Sequence, residues 1–248
     1  MTSPGFSPLT YLVPLDGRVG PTWVTEQAIE LASAHGGTVL GLSTLKGPEA
    51  QNDLHSFQER CRVTGIAARS LHLPGPRFQG IMEASKRADL VMVAWTAESA
   101  RVLDFSTFGA LVRHATCPVW IAPPSGRVPA ELTVAFHGQR KAFHAIAQAA
   151  KLAQTWQLPV DTLVVAEGPD INDHDTLIAR QELRARNVIE RHSRYERGVT
   201  GEILAAATSP DQLLIMGGAG DGPFFGLTLS RIVRQVLRLP RGPVLICP

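Results

Sequence analysis

The chain repeats itself once, and that repeat limits what it can fold into more than any other feature. Leu12-Val13-Pro14-Leu15-Asp16-Gly17 matches Thr133-Val134-Ala135-Phe136-His137-Gly138 at an offset of 121 residues. Asp89-Leu90-Val91-Met92-Val93-Ala94 matches Gln212-Leu213-Leu214-Ile215-Met216-Gly217 at 123. Cys117-Pro118-Val119-Trp120-Ile121-Ala122-Pro123 matches Gly242-Pro243-Val244-Leu245-Ile246-Cys247-Pro248 at 125. Three paired segments at a nearly constant offset imply two tandem domains, residues 10–123 and 131–248. The stretch Pro124 to Ala130 bears Pro and Gly, lacks any helical or strand period, and reads as the linker.

Each half alternates strand and helix. In the first, 11–15 is a short apolar run that reads as a buried strand. A helix follows with Val24, Ala28, Leu31 and Ala32 on one face, and Gly36-Gly37 stops it. Thr38–Thr44 reads as a second strand and Ala67–Leu73 as a weak third. Residues 77–87 read as a helix, 89–94 as a strand, 106–115 as a helix and 118–122 as the last strand. The second half repeats the order, with a first helix at about 140–155 and a last one carrying Leu229, Ile232, Val233, Val236 and Leu237 on one face. Continuous apolar strands separated by amphipathic helices predict a parallel sheet covered on both faces. Right-handed crossovers make each half a doubly wound α/β domain with a five-stranded, mostly parallel sheet. Ligands of such sheets sit beyond the carboxyl ends of the strands.

The segment that looks most like a site ends the fourth strand of the second half. It reads Met216-Gly217-Gly218-Ala219-Gly220, then nine residues from Asp221 to Leu229, then Ser230-Arg231. Small residues let backbone amides approach a phosphate, and a following helix start offers unpaired N–H groups. Ser230 adds a hydroxyl donor and Arg231 a charged fork. The same glycines also fit a turn that only reverses the chain.

The repeat and this segment together resemble the universal stress protein family over nearly the whole chain, from about Tyr11 to Pro248, as two tandem domains. The family's nucleotide motif runs Gly, two residues, Gly, nine residues, then Gly with Ser or Thr. Gly217, Gly220 and the nine-residue gap match it, while Ser230-Arg231 departs from the final pair. The family's first strand ends Val-Asp-Gly, with the Asp beside the adenine. Leu15-Asp16-Gly17 matches and Phe136-His137-Gly138 departs. His114-Ala115-Thr116-Cys117-Pro118-Val119 is a near match to the family's closing segment. The resemblance implies the adenine nucleotide alpha hydrolase-like fold, with the halves packed as a pseudo-dimer through their last strands, Val119–Ala122 and Val244–Cys247. It also implies stress-response binding of ATP or AMP.

The halves keep opposite parts of the motif. In the first, Ala94-Trp95-Thr96-Ala97 stands where the glycines would, and Phe105-Ser106 falls two residues early. Trp95 and Phe105 in a phosphate loop would fill the space of a triphosphate, so this half is expected to be silent, with Asp16 a turn residue. The implied nucleotide site therefore falls in the second half, on His137, Val165, Gly217, Gly218, Gly220, Ser230 and Arg231. The base would lie towards His137 and Val165, and the phosphates over Gly217–Gly220.

Other candidates are weaker. Asp173-His174-Asp175 carries metal-capable side chains without a partner at helical spacing and reads as a solvated loop, so no metal site is expected. Tyr195-Glu196-Arg197, with Arg180, Arg184, Arg186, Glu182 and Glu190, reads as a charged, exposed helix face. Cys61, Cys117 and Cys247 form no metal or disulfide spacing, and Cys117 and Cys247 read as apolar fillers. No hydrolase elbow, Walker loop, Cys-x-x-Cys or zincin motif occurs, and no catalytic residue is expected.

The net charge of +2 supplies no field for nucleic acid or acidic membranes. No apolar run approaches a membrane span, and the start lacks a secretory pattern, so a cytoplasmic protein is expected. Three readings stay open: a nucleotide-sensing stress protein, a nucleotide-free interaction protein with both sites degenerate, and an enzyme of a related doubly wound class. A homodimer is among the open assemblies.

Overall fold

A computed structural model describes residues 7–15, 22–95, 105–136, 140–166, 174–218, 231–238 and 240–248. The first half contributes β1 (Thr10–Leu15), α1 (Thr22–His35), β2 (Thr38–Ser43), α2 (Pro48–Val63), β3 (Ala67–His72), α3 (Arg77–Ser85), β4 (Leu90–Ala94), α4 (Phe105–His114) and β5 (Val119–Ala122). The second contributes β6 (Glu131–Phe136), α5 (Arg140–Trp156), β7 (Val160–Ala166), α6 (His174–Ala185), β8 (His192–Arg197), α7 (Thr200–Ala206), β9 (Gln212–Gly217), α8 (Arg231–Val236) and β10 (Val244–Cys247).

The ten described strands form one sheet in the order β3-β2-β1-β4-β5-β10-β9-β6-β7-β8. Within each half every pairing is parallel. The halves meet where β5 runs antiparallel to β10, with Leu245 opposite Trp120. Two doubly wound units thus share one sheet as a pseudo-dimer, joined by the strands that would otherwise be apolar edges. All eight residues of β5 and β10 are buried. Burying each Val, Leu or Ile there contributes about 1.5–3 kcal/mol relative to leaving it exposed.

Helices α1, α2, α5 and α6 cover one face and α3, α4, α7 and α8 the other, and each apolar layer runs unbroken through both halves. The α1 face is the predicted one: Val24, Ala28, Leu31 and Ala32 are all buried. Gly36 ends the helix at φ 76°, the left-handed conformation of a C-cap.

Helix α2 was not legible from apolar periodicity, because only Ala50, Phe57 and Cys61 of its sixteen residues are buried. Gly47 and Pro48 mark its start. Its Phe57 ring lies where a Cβ on Gly41 would sit, at 2.6 Å, so the glycine in β2 serves helix–sheet packing.

Two readings of the polar segments are corrected. Tyr195-Glu196-Arg197 belongs to strand β8 rather than to a helix, and its exposure alternates because β8 ends the sheet. His174 and Asp175 open helix α6 rather than lying in a loop, while Asp173 lies outside the described residues. Glu190 is likewise no exposed helix residue: its side chain is 6% exposed and pairs with Arg180.

The linker is held down. From α1, Trp23 Nε1 donates to the Ala122 carbonyl at 3.0 Å, and Gln27 Nε2 donates to the carbonyls of Pro123 (2.9 Å) and Gly126 (3.0 Å). The N–H groups of Arg127 and Ala130 donate to the carbonyls of Pro210 and Asp211 in the second half.

Candidate functional site

In each half the chain winds outward from one central strand and then returns to wind the other way. In the second half β6, β7 and β8 run outward, and the chain comes back to place β9 on the other side of β6. The carboxyl ends of β6 and β9 therefore flank the topological switch point, where doubly wound sheets open a crevice. The register Val134 with Ile215 carries Phe136 and Gly217 out of the sheet side by side. The two strands thus end at one place, although Phe136 and Gly217 are 81 positions apart in the chain.

Of the predicted site residues, His137, Gly220 and Ser230 lie outside the described residues. Gly217 is the last residue of β9, beside Cys247. Arg231 is exposed and opens α8, so Gly217 and Arg231 bracket the loop. Val165 is in β7 beside Glu196, and its side chain belongs to the apolar layer with Leu163 and Leu204.

Gly218 has a packing role that the sequence did not reveal. Its N–H donates to the Cys247 carbonyl at 2.8 Å, so this amide is already occupied. A Cβ there would stand 2.5 Å from Val112 Cγ1, 2.8 Å from Ile246 Cγ2 and 3.1 Å from the Cys247 carbonyl oxygen. Val112 belongs to α4, so this glycine lets a helix of the first half close on the second.

The first-half counterpart is Trp95. Its N–H donates to the Ala122 carbonyl at 3.0 Å, as that of Gly218 does to Cys247. The indole does not stand in a phosphate loop. It is 1% exposed, packs on Phe108 with centroids 5.0 Å apart, and its Nε1 donates to the Leu237 carbonyl at 2.6 Å. Asp16 lies outside the described residues, as do the side chains of Phe105 and Ser106.

Burial pushes the Cys117 and Cys247 thiols up to about 12, so neither provides a thiolate at neutral pH. Among the described residues no group of three His, Cys, Asp or Glu is placed to hold a metal ion. No described helix is long and apolar enough to cross a membrane. An open cavity of about 500 Å³ lies at the opposite, amino ends of the second-half strands, lined by Glu131, Asp161, His192 and Thr208. There Arg191 reaches Asp161 through Nε (3.1 Å) and Nη2 (2.8 Å), and also pairs with Glu131. Burial works to raise the Asp161 carboxyl, but the hydrogen bonds and charge of Arg191 outweigh it and hold it below its ordinary value.

No protein-family model matches the sequence, and neither does any curated protein. Solved structures do resemble the chain along its whole length. A universal stress protein from Archaeoglobus fulgidus is 17% identical, with 96% of each chain covered and a TM-score of 0.68. A protein from Pseudomonas aeruginosa, provisionally given the same class name, is 16% identical, with 97% of this chain and 93% of that one covered and a TM-score of 0.67. The cytoplasmic domain of a prokaryotic cation chloride cotransporter is 11% identical, with 97% and 95% covered and a TM-score of 0.57. At these identities the likeness carries the fold: the chain has the tandem fold of universal stress proteins.

Proposed function

We propose that the protein is a tandem universal stress protein that binds an adenine nucleotide, ATP or AMP, in its second half and serves as a binding module rather than an enzyme. On this reading its domains are 10–123 and 131–248, it acts in the stress response, and it works in the cytoplasm. The observation that carries the proposal is that Phe136 and Gly217 leave the sheet side by side at the switch point of the second half. The Gly217, Gly220 and nine-residue spacing supports it, since small residues there leave room for phosphate against backbone. On the first-half side Trp95 stands where the second half has Gly218, and it is sunk into the core.

A second reading, a nucleotide-free interaction protein, is favoured by one observation: the Gly218 amide and Cα are committed to Cys247 and Val112. Isothermal titration with ATP and AMP separates the two. Gly220→Val is expected to abolish binding, and Asp221→Ala to leave it nearly intact. Asp16→Ala is expected to change affinity by less than about tenfold, or ~1.4 kcal/mol. If Arg231 holds phosphate, Arg231→Ser weakens binding by about 1–3 kcal/mol. No binding by the wild type, nor by a Ser230→Gly, Arg231→Ser double variant, leaves the interaction reading.

A further inference from the structure

The two ends of the ten-stranded sheet are unlike. Both β3 and β8 are terminal, and no described strand pairs with the outer edge of either. Strand β3 (Ala-Ala-Arg-Ser-Leu-His) carries no acidic residue. Strand β8 (His-Ser-Arg-Tyr-Glu-Arg) places Arg194 and Glu196 on one face, two residues apart, with Tyr195 between them on the other. Three basic groups preceding it in the chain are engaged: Arg180 with Glu190, Arg186 with Glu182, and Arg191 with Asp161 and Glu131. Among the described residues Arg194 and Glu196 enter no ion pair. Four large apolar residues are exposed among the described ones, and two of them flank β8 in the chain: Ile189 (81%) and Val199 (42%).

Scattered charge on a terminal strand ordinarily repels other edges. Here the signs make a different pattern. An antiparallel copy centred on Tyr195 sets each Arg194 opposite Glu196 of the other chain, twice by symmetry, with Ser193 opposite Arg197. Directly opposed side chains in such a ladder have Cβ atoms about 4.5–5.5 Å apart, and opposite charges there stabilise while like charges destabilise. Any other antiparallel register within the strand loses both pairs. A two-fold interface of this kind is self-complementary by construction.

We propose that β8 is a homodimer interface at which two copies of the chain pair antiparallel about Tyr195, extending the two sheets into one and covering Ile189 and Val199. The occupant is a second copy rather than a foreign peptide, because the strand carries both members of its own charge pair.

Sedimentation across a range of protein concentrations tests this. The wild type is expected to dimerise. Arg194→Glu and Glu196→Arg, each of which sets like charges opposite one another twice, are expected to raise the dimer Kd at least about tenfold, the effect of roughly 1.4 kcal/mol spread over the two symmetric pairs. The Arg194→Glu, Glu196→Arg double variant is expected to recover the dimer. Mixing the two single variants is expected to give a heterodimer, which also establishes that both are folded. A wild type that stays monomeric at high micromolar concentration overturns the proposal. So does a dimer indifferent to the single reversals, or single variants that weaken it without recovery in the double variant and the mixture.

Discussion

Trp95 and Gly218 occupy equivalent places, 123 residues apart, directly after the fourth strand of each half. Their backbones do the same thing, donating an N–H to the carbonyl of Ala122 or Cys247. Their side chains do opposite things. The residues they meet across the seam are also equivalents: Leu237 receives the Trp95 indole, and Val112 packs over bare Gly218, at an offset of 125 residues. One contact thus exists twice, once made with the largest side chain and once with none. On the opposite face the equivalents meet each other. His35 and Trp156, the last residues of α1 and α5, stack with centroids 5.0 Å apart at 20°. Duplication therefore leaves a near-symmetric frame, and at Trp95 and Gly218 the asymmetry falls at the strand ends where a ligand crevice would open.

The largest break in the comparison is Trp95→Ala. It removes a fully buried indole and leaves a cavity between the halves, and is expected to cost about 3–5 kcal/mol in equilibrium denaturation. Gly218→Ala comes next. It forces a methyl against Val112 and Ile246 and is expected to cost about 1–3 kcal/mol. Combining it with Val112→Ala sharpens the comparison, since the two changes should couple by at least about 0.5 kcal/mol in a double-mutant cycle. Strict additivity would show that the first-half helix is not what crowds the glycine.

The smallest effect comes from the symmetric side. Burial lowers the His35 pKa from 6.5, and its Nε2 is buried without a hydrogen-bond partner. The unfolded state therefore binds the proton more readily than the native state. The favourable burial of the neutral ring holds above the ordinary histidine value and is lost as pH falls below it. Stability measured between neutral and mildly acidic pH is expected to fall with acidification, and His35→Phe, which keeps an aromatic ring against Trp156, is expected to reduce that slope. An unchanged slope would place the titrating group elsewhere.

Much of the fold was legible because its physical cause is local. Strands such as Leu90–Ala94 and Val119–Ala122 are buried on both faces, and a continuous apolar run is the direct sequence image of that burial. Where an element is buried on one thin stripe the image fades. Helix α2 buries three of its residues, and β8, at the sheet edge, buries none fully, so its charged sequence reads as a helix face. The site was legible in part. Spacing identified the loop from Gly217 to Arg231, but no local pattern distinguishes a glycine kept for phosphate from one kept for a neighbouring helix. The contact of Gly218 with Val112 spans more than a hundred residues of sequence.

By itself, then, the sequence determined the duplication, the α/β alternation and the two apolar faces of the sheet, because strand and helix periods respond to burial within a few residues. Only the tertiary structure decided that β5 and β10 join the halves into one sheet, that Phe136 and Gly217 leave it together, and that Trp95 turns into the seam. Those outcomes depend on strand order and on which surfaces meet, and both are properties of the packed chain rather than of any short stretch of it.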